Sequence, residues 1–249
     1  MTENKQGQTT NRHYYRRAQC LTAVAFSTFL FSSPAISATN LISNGSFELP
    51  VLVPGSDYLV APVGSAVIPS WSVVGPAGKN VAIIEALYNL PDAAGINFAA
   101  ADGVQWIDMA GAGANTFEGV EQIVHLVSGS YDLSFSVGNV IAPANALGSQ
   151  STIDLWINGT KLQSYTNSAS GGTGINWQGF SHTFVGIGST TIQFRNADGT
   201  NDNLNGLDNV FLSAVPEASI TTMLILGIAI LGLGTRVRAR RIHGRLKPL

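Results

Sequence analysis

Short runs rich in Val, Ile, Thr and aromatic residues recur from residue 40 to residue 213, and turn-forming residues separate nearly all of them. They occupy 40–47, 71–74, 80–84, 104–108, 121–127, 131–137, 152–157, 160–165, 179–185, 190–196 and 207–213. No helical apolar period of comparable length lies among them, so segments this short bury their apolar faces by pairing into sheets. Alternation is clearest in Ile123, His125, Val127 and in Leu133, Phe135, Val137, where every second side chain shares one face of the strand. Asn158 and Gly159 separate two runs by two residues, the spacing of a type I′ hairpin turn with positive φ at both positions. About ten strands over residues 39–215 predict an all-β architecture, a jelly-roll β-sandwich or a close relative of one.

The charges are unevenly placed. Of the 13 basic residues, residues 39–215 keep Lys79, Lys161 and Arg195, against 13 of the 15 acidic ones, a balance of −10 in a chain whose formal net charge is −2. Such a surface repels phosphate backbones and argues against nucleic acid as a partner. The chain's single cysteine, Cys20, lies outside this segment, which excludes both a disulfide framework and a cysteine metal site within it.

The remaining basic residues mark the two ends. Arg16 and Arg17 precede an apolar stretch from Cys20 to Phe31, then Ser32, Ser33, Pro34 and the small residues Ala35, Ser37 and Ala38. That order is the n-, h- and cleavage-region order of a secretory signal peptide over 1–38, cut after Ala35 or after Ala38. Residues 218–235 form an uncharged stretch dominated by Leu, Ile, Ala and Gly. As a transmembrane helix these 18 residues reach about 27 Å, close to the roughly 30 Å hydrocarbon core. Arg236, Arg238, Arg240 and Arg241 follow at once in a basic end, 236–249, that the positive-inside rule keeps in the cytoplasm. The acidic segment is then expected to be exported across the inner membrane.

Pro216 and Glu217, the apolar stretch and the terminal arginine cluster together resemble the PEP-CTERM sorting tail of Gram-negative bacteria, with Ala218 where the family usually carries a second proline. The resemblance covers residues 216–249. It implies processing by an exosortase, an inner-membrane intermediate, and release to the cell surface or extracellular matrix of an exopolysaccharide-producing cell.

A second resemblance runs through residues 40–213. Asn44, Gly45, Ser46, Phe47 and Glu48 open the segment, and Gly206, Leu207, Asp208, Asn209 and Val210 close it. Between them lie 68–71, 102–108 and the run from Glu121 and Gln122 through Gly129 to Tyr131, Leu133 and Phe135. In this order the motifs are similar to galactose-binding-like jelly rolls, a group that includes carbohydrate-binding modules and a plant cell-wall family. The resemblance implies adjacent first and last strands. Some members hold a structural calcium there, and the matching carboxylates are Glu48 and Asp208. Calcium wants six to eight oxygens; the same two carboxylates equally suit hydrogen bonding to turn amides near Asn44 and Asn209. A second acidic group, Asp198 and Asp202 among Asn196, Asn201, Asn203 and Asn205, lacks the spacing of a helix-loop-helix calcium site and reads as a solvated loop.

Sugar binding in such modules uses aromatic rings flanked by Asn, Gln or Asp. The tryptophans are Trp71, Trp106, Trp156 and Trp177. Trp71, after Pro69, and Trp177 with Gln178, in a Gly-rich approach, lie at strand edges, and Tyr88 with Asn89 lies in the loop before Pro91. These are the candidate carbohydrate-binding residues, although a sandwich core also takes one or two tryptophans. Catalysis finds little support. His125 and His182 fall inside strand patterns, and no Gly-x-Ser-x-Gly elbow, His-Glu-x-x-His helix or phosphate-cradling loop is present. The sequence therefore predicts an exported, non-catalytic surface or biofilm-matrix protein that binds exopolysaccharide. The alternatives are a structural or adhesion protein whose tryptophans are core, and a secreted glycan hydrolase.

Overall fold

The computed structural model describes residues 38–54, 58–88, 96–113, 117–140, 142, 147–169, 174–198 and 204–216, together with Leu224 and Ile228. The signal-peptide assignment and the tail beyond Pro216 fall outside the described residues, apart from Ala38, Leu224 and Ile228. Among the described residues no helix is long and apolar enough to cross a membrane.

Among the described residues nine antiparallel strands build the domain: β1 (Tyr58–Pro62), β2 (Ser72–Val74), β3 (Asn80–Glu85), β4 (Gln105–Asp108), β5 (Gly119–Asn139), β6 (Ser151–Ile157), β7 (Thr160–Asn167), β8 (Asn176–Asn196) and β9 (Gly206–Ala214). The hydrogen-bonded order is β1-β3-β4-β9-β5-β8-β6-β7, with β2 also on β5. β5 and β8 are each 21 residues long, where the sequence divides them into four runs, 121–127, 131–137, 179–185 and 190–196. They form one ribbon whose register slips between Leu126 and Gly129.

That ribbon makes a sandwich out of a continuously hydrogen-bonded sheet. Phe135 on β5 pairs in register with Phe180 on β8, yet its ring also lies 4.9 Å from Phe194. Phe180 and Phe194 stand fourteen residues apart, about 46 Å along a straight strand. Both can reach Phe135 only if the ribbon folds over at the bulge, which is the known effect of such a register slip. The second half of β5 and the first half of β8 then continue a sheet with β9, β4, β3 and β1. The first half of β5 and the second half of β8 continue a sheet with β2, β6 and β7. Between the two layers lie Val81, Ile83, Ile107, Val120, Leu133, Phe135, Ile153, Leu155, Ile192 and Phe194. The Asn158–Gly159 turn has the expected positive φ at both residues, 49° and 76°.

Two expectations change. Residues 40–48 form no strand; Asn44 and Phe47 take left-handed backbone with φ of 52° and 54°. The segment still runs beside β9 as the first-beside-last arrangement requires: Leu41 N donates to Leu212 O, and Val210 N donates to Gly45 O. Gly45 is needed for that approach, because a Cβ there would stand 2.1 Å from the Val210 carbonyl oxygen. Ile123, His125 and Val127 do share one face, but it is the solvent face, with Ile123 and Val127 59% and 81% exposed while Val124 and Leu126 enter the core.

A second cluster covers the outer face of the β3–β4 layer. Ala82, Ile84 and Trp106 alternate away from the main core and pack with Ile96, Phe98, Val140, Ala142 and Leu204. All four residues of β4 are therefore buried, one pair on each side.

Candidate functional site

On this outer face a cleft of about 220 Å³ opens between the sheet and its covering loops. Its wall is a run of aromatic rings: Tyr58 meets Tyr88 edge-on at 5.7 Å, Tyr88 lies 5.8 Å from Phe98, and Phe98 stacks on Trp106 at 6.4 Å. Strand parity puts them there. Tyr58 pairs with Ile84, and Ile84 with Trp106, so a single cross-strand row carries Tyr58 and Trp106 outward. Asp108, two residues along β4 on the same face, forms the polar wall with backbone from Gly111 to Gly113. Its Oδ1 accepts the amides of Ala110 and Asn205 at 2.9 and 3.1 Å, which fixes the carboxylate before any ligand arrives. Beneath it Asn205 donates from Nδ2 to Thr152 O, Asn196 Oδ1 and Asp198 Oδ2, a polar brace buried except at Asp198. Asp198 is thus no solvated-loop residue. Burial raises its pKa first, against hydrogen bonds from Thr152 and others that lower it. Asp202, Asn201 and Asn203 lie outside the described residues.

The residues singled out from sequence scatter over the molecule. Trp71 is a core residue, 2% exposed, tilted against Phe47 at 5.3 Å with its indole N–H donated to Asn44 O. It cannot stack on a sugar from there. Trp177 is half-buried, meets Trp106 edge-on at 5.6 Å and donates its indole N–H to Ala99 O. Gln178, the next residue along β8, is exposed on the opposite face, so the two do not share a site. Tyr88 does line the cleft, and Asn89 lies outside the described residues. Sequence reasoning passed over Tyr58 and Asp108 and gave Trp106 no preference. The signal was the alternation of Tyr58 with Val60 and of Trp106 with Asp108, set against a second apolar face.

Glu48 and Asp208 are brought together only in the sense that both hold the loop 101–105. Asp208, fully buried, accepts the amides of Ala101 and Asp102 on Oδ2 and that of Asn209 on Oδ1. Glu48 Oε1 accepts the amides of Val104 and Gln105. Burial pushes the Asp208 carboxyl up to about 7 despite the amides, with the nearby Asp102 charge adding to the rise. Amide hydrogens present positive ends where a cation would need lone pairs, and among the described residues no three His, Cys, Asp or Glu side chains converge on a common point. The bonds these two carboxylates make are those of the turn-amide alternative.

His182 Nδ1 and Tyr165 OH lie 2.7 Å apart in a β8–β7 pair, with burial raising the Tyr165 pKa, and His125 is exposed. Neither histidine lines the cleft.

No protein-family model and no curated protein sequence matches the chain. Among solved structures it is similar to a family 35 carbohydrate-binding module from Clostridium thermocellum, with 13% identity, 64% of this chain and 100% of that one covered, and a TM-score of 0.38. It is also similar to the K1 adhesin domain of Lys-gingipain from Porphyromonas gingivalis W83, with 16% identity, coverage of 65% and 100%, and a TM-score of 0.43. A CBM35 from Paenibacillus barcinonensis gives 14% identity, coverage of 64% and 100%, and a TM-score of 0.36. These superpositions are loose, and the cleft is defined by this chain's own residues.

Proposed function

We propose that this chain is an exported, non-catalytic surface or extracellular-matrix protein whose jelly-roll domain binds carbohydrate in the cleft of Tyr58 and Tyr88, backed by the buried Trp106. One observation carries the reading: exposed Tyr58 and half-buried Tyr88 meet edge-on over the buried rings of Phe98 and Trp106, beside a carboxylate already oriented by two amides. Rings of this kind stack on the apolar face of a pyranose, and fixed polar groups select its hydroxyls. Glycoside hydrolysis needs two carboxylates about 5–9.5 Å apart across the bond. Asp108 is the one acid among the described residues that line the cleft, which favours binding without turnover. Export across the inner membrane and exosortase processing of the 216–249 tail complete the proposal, supported by the order of Pro216, Glu217, the apolar stretch and Arg236, Arg238, Arg240 and Arg241. The exopolysaccharide of the producing cell is the proposed partner.

A second reading, a structural or adhesion protein without a sugar site, draws on the tryptophans: Trp71, Trp106 and Trp177 all donate their indole N–H to backbone carbonyls, as packing residues do. Glycan-array binding separates the two. Tyr58, 45% exposed, can be replaced without opening the core. Tyr58→Ala should weaken glycan binding by about tenfold, some 1.4 kcal/mol, at unchanged melting temperature. Wild-type protein that binds no glycan removes the cleft reading. New reducing ends on incubation with matrix polysaccharide would instead reveal a hydrolase.

A further inference from the structure

The outer face of the other layer carries a different arrangement. Four strands align in one cross-strand row, Glu121 on β5 opposite Gln193 on β8, Gln193 opposite Trp156 on β6, and Trp156 opposite Lys161 on β7. Their neighbours in the chain, Val120, Ile192, Phe194 and Leu155, all enter the main core, so parity turns this row to the surface. Gln193 joins the row into a rail: its Nε2 donates to Glu121 Oε2 at 2.6 Å, and its Oε1 accepts Arg195 Nε at 2.8 Å. Arg195 Nη1 reaches back to Phe117 O at 3.4 Å, and the Phe117 ring stands 53% exposed beside Trp156 around an open groove. Phe117 has φ of 69°, a left-handed backbone that a bulky residue rarely adopts and that costs about 1–3 kcal/mol where it persists.

Trp156 also differs from the other tryptophans. Three indole N–H groups are tied to backbone carbonyls, whereas Trp156 Nε1, itself buried, finds no acceptor among the described residues, and its ring joins no aromatic cluster there. A tryptophan placed for packing is normally satisfied. Charge narrows the ligand. Lys161 pairs with Asp154 at 2.7 Å, and Arg195 is balanced by Glu121 through the Gln193 rail, so the platform carries two cations and two anions with no net sign. It presents an aromatic pair flanked by rigid planar donors and acceptors, the chemistry of an uncharged hexopyranose unit rather than of an acidic one.

We propose that this face is a second carbohydrate platform, centred on Trp156 and specific for neutral glycans, so that the domain holds two glycan segments on opposite faces and cross-links polysaccharide. The cross-linking half rests on the cleft reading; the platform itself does not. Two sites on opposite faces cannot engage one short segment, but they join two chains, and multivalent capture raises avidity without new contacts.

The test uses the full chain on a glycan array bearing neutral and acidic glycans. In a Tyr58→Ala/Tyr88→Ala background, which disables the cleft, binding to neutral glycans should persist, change little between 50 and 500 mM salt as a neutral ligand requires (about 14 and 4 Å screening lengths), and fall by about tenfold on adding Trp156→Ala. Arg195→Lys should weaken it while leaving the melting temperature unchanged, and Trp156→Phe should restore part of it, which separates a lost platform from a lost fold. Wild-type protein should raise light scattering from high-mass neutral polysaccharide found positive on the array, and either single-face variant should bind without doing so. Absence of residual binding in the cleft-disabled background overturns the platform while leaving the cleft reading intact. Residual binding confined to acidic glycans overturns the assigned ligand class, and residual binding indifferent to Trp156→Ala overturns the site.

Discussion

Asp208 and Glu48 grip one loop from opposite ends, Asp208 taking the amides of Ala101 and Asp102 and Glu48 taking those of Val104 and Gln105. The loop leads directly into β4, whose Trp106 and Asp108 line the cleft, so the two carboxylates position a site they do not touch. Each buried amide left without an acceptor costs about 1–3 kcal/mol. Asp208→Ala should therefore lower unfolding free energy by about 3 kcal/mol or more, and Glu48→Ala by about 1–3 kcal/mol. Urea denaturation measures both. Losses no larger than those of exposed substitutions would show that the clamp carries no weight.

The same geometry predicts the response to calcium. A ligand that binds only the folded chain raises apparent stability by mass action. Three of the four carboxylate oxygens of Asp208 and Glu48 already accept amides, so millimolar calcium should leave the melting temperature flat. A rise that grows with calcium and vanishes in Asp208→Asn would refute this.

Asp208 also sets a pH dependence. Its carboxyl moves from 3.8 to about 7 on folding because burial outweighs the amides. Between those values the folded chain keeps a proton that the unfolded chain has released. Stability from this group is fully present below about pH 3.8 and is lost as pH rises toward 7, a swing on the order of a few kcal/mol. Other carboxylates titrate nearby, so the readout is the difference between wild type and Asp208→Asn in urea midpoints at several pH values between 4 and 8. That difference should shift with pH; a constant offset would sink the assignment.

Trp71 gives a contrast with the cleft. With its ring against Phe47 and Phe194, Trp71→Ala should cost about 3–5 kcal/mol and leave glycan specificity unaltered in whatever fraction stays folded. Thermal melts and glycan binding at low temperature separate the two effects. A stable Trp71→Ala protein that has lost binding would move the site.

Strand existence was legible because period-2 patterning and turn chemistry are local. The runs later found as β3, β4, β6, β7 and β9 match within a few residues, and the Asn158–Gly159 turn was readable from two letters. What the pattern could not convey was which side of a strand meets which core. Ile123, His125 and Val127 alternate correctly and face solvent, while Trp106 and Asp108 lie on a second buried face, with Tyr58 at its open edge, that exists only after residues 96–98 and 204 fold over the sheet. Residues 40–47 read as a strand because Leu41, Ile42 and Phe47 are apolar, but Asn44 and Phe47 take a left-handed backbone and turn the segment into a cap on β9. Pairing Trp177 with Gln178 failed for the simplest reason: neighbours on a strand point apart.

Gly138 and Gly206 make the last prediction, because they connect the sheet to the cleft through Trp177. A Cβ on Gly138 would stand 2.5 Å from Ile175 Cδ1 and 2.7 Å from Trp177 Cζ3, and one on Gly206 2.9 Å from Trp177 Cη2, all closer than packed carbons tolerate. The ring has little room to yield, since its N–H is held by Ala99 O and its edge rests on Trp106. Gly138→Ala should therefore displace Trp177, loosen Trp106 and weaken glycan binding at the cleft, with a stability loss of about 1–3 kcal/mol typical of overpacking. Near-UV circular dichroism should report the altered indole environment. In the same variant the Trp156 platform, on the far side of the main core, should keep its affinity; equal loss at both faces would mean that the substitution unfolds the domain rather than shifting one ring.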